Sequence, residues 1–110
     1  MTPEEFVQCF RRTKDELLSV YFDASSGSAT ATQLAALARS QEEVAALQQI
    51  VSTVLTDAFY TALLGLDGCA SLGGVQQSYR IQDEHGAELC TGDGTIEALA
   101  HDYFHGNRNA

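Results

Sequence analysis

Between Ile50 and Leu66 the chain carries one charge, Asp57. Ahead of this stretch stands Ser40-Gln41-Glu42-Glu43, a hydroxyl followed three residues later by a glutamate. That is the pattern of a capping box, in which each side chain satisfies a free amide at a helix start. The spacing predicts a helix from Ser40 to about Leu64. Val44, Leu47, Val51, Val54 and Ala58 form one apolar stripe along it, and Ile50, Leu55, Phe59, Ala62 and Leu63 widen that stripe. A helix apolar on most of its sides needs cover on most of its sides. It is therefore expected at the centre of the fold.

What is available to cover it follows from the rest of the 110 residues. Thr2-Pro3-Glu4-Glu5 combines a capping hydroxyl, a proline suited to the first helical position and a glutamate that reaches back. The helix it starts carries Phe6, Phe10, Leu17 and Tyr21 on one face, with Cys9, Leu18 and Phe22 beside them, and ends near Asp23. Arg11, Arg12, Lys14, Asp15 and Glu16 read as its solvated section. Ser25 to Thr32 reads as a short flexible connection, and Gln33 to Arg39 as a short helix ending near Ser40. Gly65 is placed to end the long helix in a left-handed cap. After the glycines at 68, 73 and 74, Val75, Tyr79 and Ile81 alternate, Glu84-His85-Gly86 can turn, and Ala87 to Cys90 can return. This predicts a β-hairpin. A last helix is expected from Thr95, as cap, to Gly106, with Ile96, Leu99, Ala100 and Tyr103 inward. The expected fold is α+β: three to four helices around a central apolar helix, with a small C-terminal antiparallel β-hairpin, in a single domain over 1–110.

Charge narrows the partners. Fifteen acidic residues stand against six basic ones, a net charge of −9. Such a chain repels nucleic acid and anionic membranes and attracts basic proteins. Cys9, Cys69 and Cys90 are too few and too scattered for a disulfide framework; reduced thiols in a cytoplasm are expected. The first residues place acids before any apolar run, so no signal peptide is expected. No run of about 18 consecutive apolar residues is present, so no membrane span is expected either.

The glycine-rich stretch Leu66 to Gln77 raises the question of a phosphate cradle. A dinucleotide fingerprint has a strand before its glycines and a helix after them; here the order is helix, loop, strand, with no lysine after Lys14. The stretch is expected to be a reversal of the chain. Glu97, His101 and His105 are spaced to share one helix face. They are the candidate metal ligands, without the glutamate of the H-E-x-x-H pattern and without an evident fourth donor. Asp57 is expected either at an exposed helix edge or in an ion pair with Arg11 or Arg80. No nucleophile and base are spaced to act together, and no catalytic residue or cofactor is assigned.

The segment FYTALLGLDGCASLGGVQQSYRIQDEHGAEL, followed by IEALAHDYFHG, resembles small acidic uncharacterised bacterial proteins of immunity-protein type. The resemblance covers the second half of the chain and carries over no catalytic or binding residue. It implies a protein that neutralises another by binding it. Together with the charge, this leads to the expectation of a non-enzymatic module that presents Asp67, Asp83, Glu84, Glu88 and Asp93 to a basic partner such as a toxin domain, with Tyr79 as an anchor. Two other readings stay open. One is a small-ligand or metal-binding domain built on the glycine-rich loop and the Glu97/His101/His105 stripe. The other is a self-associating homodimer paired through the hairpin edge or the first helix.

Overall fold

The computed structural model describes residues 1–110. Helix α1 spans Pro3–Tyr21, a single 3-10 turn covers Ala24–Ser26, α2 spans Ala29–Leu37 and α3 spans Gln41–Leu66. Strands β1 (Ile81–Gln82) and β2 (Glu88–Cys90) follow, then α4 (Thr95–Phe104). The architecture is α+β, with a long central helix and a two-stranded antiparallel sheet near the C-terminus.

The helix starts follow local hydrogen-bonding chemistry. Thr2 accepts from the Glu5 amide at 3.1 Å, and Glu5 reaches back to the Thr2 amide at 3.3 Å. Ser40 accepts from the Glu43 amide at 3.1 Å, but its hydroxyl takes the Glu43 carboxylate as its own acceptor, so the second box closes through side chains. Ser28 caps α2 through the Ala31 amide at 3.1 Å. The supposed connection Ser25 to Thr32 is therefore partly helical: a serine followed by alanines and threonines is enough to begin a turn once its hydroxyl finds that amide.

Two helix ends differ from expectation. Gly65 does not terminate α3. It lies inside the helix and is buried, and a Cβ built there would overlap the Leu72 side chain. Its lack of a side chain serves close packing rather than a left-handed turn. Asp67 is the C-cap, and Gly68 takes the positive φ of 78°. At the other end of the loop, Thr95 is the first helical residue of α4 and not its cap; Gly94 occupies that position and makes no side-chain capping bond.

The hairpin is shorter than its alternating pattern. Only Ile81↔Cys90 and Gln82↔Glu88 pair, with an irregularity between them. Val75 instead closes a tight turn on Leu72, with backbone bonds of 2.9 and 3.1 Å. The glycine-rich stretch is a chain reversal.

The core sits where the first half of α1, the last turns of α3, β2 and α4 meet. Val7, Leu63, Cys90, Ile96, Ala100, Tyr103 and Phe104 form it. Aromatic rings extend it along one line, Phe6 to Phe10 to Phe59 to Phe104, at centroid separations of 5.2, 6.0 and 6.4 Å. Within α3 only Leu63 and Gly65 are buried. The rest of this helix runs out from the core, covered in part by α1. The radius of gyration is 16.1 Å and the extents are 46 × 29 × 26 Å, against about 13 Å for a compact domain of this length. By length and composition α3 is also apolar enough to cross a bilayer, although its sequence never offers an unbroken apolar run.

Lys14, expected in a solvated section, is buried between α1 and α3 and donates to Thr56 Oγ1 at 2.7 Å. Asp57 is exposed. Neither arginine named for it is engaged there: Arg11 binds Asp15 and the Tyr103 carbonyl, and Arg80 binds Glu88.

Candidate acidic binding surface

The carboxylates of the C-terminal half divide into those that hold the fold and those that face solvent. Asp67 belongs to the first group. It is 2 % exposed, and its two oxygens accept from the Gly94 amide at 3.2 Å and the Glu97 amide at 2.9 Å. It thereby supplies a capping carboxylate that the Gly94 N-cap cannot, and its negative charge faces the positive end of the helix dipole. Asp67 is removed from the docking residues on this ground: a partner cannot reach it.

Asp83 organises the hairpin turn. Its carboxylate accepts from the His85 and Ala87 amides, each at 2.9 Å, and from the N-terminal ammonium of Met1 at 3.0 Å. The Ala87 amide and the Met1 ammonium hold its pKa below the usual carboxylate value. Glu88 is held the same way by Gln82 at 2.7 Å and Arg80 at 3.0 Å. Its other oxygen, Oε2, is buried and has no partner. Glu84 is open, its side chain 86 % exposed with only His85 alongside. Asp93 is exposed and takes the Thr95 amide at 3.0 Å, which lowers its pKa. Tyr79 is half-buried and its hydroxyl accepts from Gln77.

The structure brings Glu88 and Asp93 together, and adds a residue that the sequence did not single out. Pro3, Glu88, Cys90, Asp93 and Thr95 line one groove. A second groove shares Pro3, Asp93 and Thr95 with it and continues over Thr2, Glu4 and Leu99. The first turns of α1 and α4 therefore border one groove, with Glu4 and Asp93 both among the residues that line it. Glu4 is fixed there by the Tyr103 hydroxyl at 2.8 Å and by Arg108. Nothing in the local pattern around Glu4 signals this, because its neighbours come from the far end of the chain. Asp83 joins the same side only through Met1, and Glu84 lies at the hairpin tip.

The histidine stripe is brought together only in part: the His101 and His105 rings lie 6.1 Å apart, while Glu97 is engaged elsewhere. His105 follows the last helical residue of α4, and its ring packs edge-on to Tyr60 with centroids 4.5 Å apart. Glu97 accepts from the Cys69 thiol at 2.9 Å. No three His, Cys, Asp or Glu side chains in the molecule are grouped to hold a metal ion. The bond to Glu97 pushes the Cys69 pKa up to about 11, and burial raises that of Cys90. Neither thiol is activated as a nucleophile at neutral pH.

No family model matches this chain, and no curated protein or solved structure matches it either.

Proposed function

We propose that this chain is a non-enzymatic protein-binding module, of the inhibitor or immunity kind and placed in a cytoplasm, that holds a basic protein on its acidic end. The observation that carries the reading is the pair of adjoining grooves walled by Glu4, Glu88 and Asp93. A lysine or arginine side chain entering them meets the carboxylates of Glu4 and Asp93, and competes with Arg108 for Glu4. The surrounding charge, with Glu84 and Glu97 exposed nearby in sequence, speeds encounter with a basic surface. The core lies directly beneath β2 and α4, so the surface is presented by a packed platform and little is lost in ordering it.

The experiment compares the wild-type chain with a Glu4→Gln/Asp93→Asn variant as bait in lysate of the source cells. Asparagine keeps the Thr95 cap, so the fold is retained. The expected result is one basic protein held by the wild type at low salt, released as salt rises, and lost from the variant. Equal retention by both baits removes this surface as the binding site.

The second reading, self-association, is favoured by a different face of the molecule. It moves from the hairpin edge and α1 to α3.

A further inference from the structure

Ile50 and Val54 on α3 are each 58 % exposed. With Leu47 before them and Ala58 and Thr61 after, they recur at spacings of three and four, which places all five on one side of the helix. Ala58 and Thr61 are exposed as well, and Leu47 is half-buried. The chain thus lays its most apolar helix along its own surface with the seam outward. The total accessible surface is 6695 Å², whereas a compact monomer of this size exposes about 5,900 Å². The excess, roughly 800 Å², belongs to the elongated chain as a whole, and the outward seam of α3 is one part of it.

We propose that this seam is a homodimer interface, in which α3 of a second copy packs antiparallel across Ile50 and Val54. Antiparallel packing about the midpoint of these two residues sets Ile50 against Val54 of the other copy in both halves, as a two-fold axis requires. It also separates the two Asp57 carboxylates by about 15 Å along the axis. A parallel pair would place Asp57 beside Asp57 and Glu43 beside Glu43, a repulsion with no compensating charge. Arg39, exposed just before α3 and in no ion pair, reaches in the antiparallel pair toward the acidic end of the second copy. A bilayer is the poorer occupant: the net charge is −9, and Asp57 lies beside the seam. The apolar seam shares no residue with the acidic grooves and only Arg39 reaches toward that end, so loss of the dimer in Ile50→Glu/Val54→Glu is distinguishable from loss of the basic partner.

Sedimentation equilibrium of the full chain tests the proposal. The wild type is expected as a dimer that dissociates on dilution. Ile50→Glu/Val54→Glu is expected to be a monomer of unchanged helix content; Ile50→Ser/Val54→Ser is the milder substitute if the charged pair disturbs folding. Arg39→Glu is expected to weaken the dimer about fivefold. A wild type that stays monomeric at all concentrations overturns the proposal, and if that monomer floats with lipid vesicles the seam belongs to a membrane. A dimer that survives both double substitutions overturns it too. A dimer indifferent to Arg39→Glu overturns the antiparallel arrangement.

Discussion

The Asp67 carboxylate at the end of α3 caps α4 by accepting from the Glu97 amide at 2.9 Å, thirty residues further along the chain. One side chain thus locks the long helix to the last helix at the edge of the core. The Gly94 amide depends on it too. Asp67→Ala leaves two amides at a helix start without their acceptor, one cap lost and little water able to replace it. The expected loss is about 2 kcal/mol, a fall in Tm of roughly 10 °C, read by thermal and urea unfolding. Asp67→Asn, which still offers an oxygen, is expected to lose clearly less. A loss below about 0.5 kcal/mol in the alanine variant, the level of an ordinary surface change, excludes the capping role.

The acid limb of stability is expected to run through Asp83. Its folded pKa lies below the ordinary value, chiefly because of the Ala87 amide and the Met1 ammonium. A carboxyl depressed by folding contributes stability above its unfolded pKa, near 3.9, and loses it as pH falls through the lower folded value. Glu88 and Asp93 act in the same direction. Urea midpoints should therefore be level near neutrality and decline below about pH 4. Asp83→Asn should flatten part of that decline; an unchanged acid limb in the variant assigns the decline to other groups.

Lys14 and Thr56 make an asymmetric pair. Burial, and secondarily Arg11, lowers the Lys14 pKa, and the Thr56 hydroxyl is its hydrogen-bond partner at 2.7 Å. Thr56→Val leaves a buried ammonium without that acceptor and is expected to cost about 1–3 kcal/mol. Lys14→Met removes the charge while keeping most of the volume, and is expected to leave stability unchanged or raised. Because the folded pKa is lowered, the unfolded chain holds this proton more tightly, so wild-type stability should gain from Lys14 as pH rises through that folded value. The methionine variant should lack this gain. If Lys14→Met is as damaging as Thr56→Val, the ammonium is stabilising and the account is wrong.

The boundary between what was legible in the sequence and what was not follows the range of the interactions. Thr2, Ser28 and Ser40 mark helix starts because a cap is made within three residues, although Ser28 needed the structure to be noticed. The helical stripe of α3 and the existence of a hairpin were legible for the same reason, as periodicity. Asp67 and Glu4 were not: the groups that bury one and aim the other lie 27 residues or more away. The hairpin's length was overread because Val75 bonds locally to Leu72 rather than across a strand. The centrality of α3 was readable, but not how far it is covered. An apolar helix face looks the same in sequence whether its cover comes from its own chain or from another.

Gly65 and Leu72 offer the sharpest test of the packing at the end of α3. A helix interior ordinarily gains from glycine to alanine by about 1 kcal/mol, so propensity alone predicts that Gly65→Ala stabilises. The structure predicts the reverse, since the new methyl would overlap the Leu72 side chain. Overpacking of this kind costs about 1–3 kcal/mol. Leu72→Ala clears the space, and in that background Gly65→Ala should recover its helical gain. A double-mutant cycle by urea unfolding then gives a coupling of about 2 kcal/mol between the two sites. Additive effects would mean that Leu72 does not pack on α3, and the tight turn that it closes with Val75 would have to lie elsewhere.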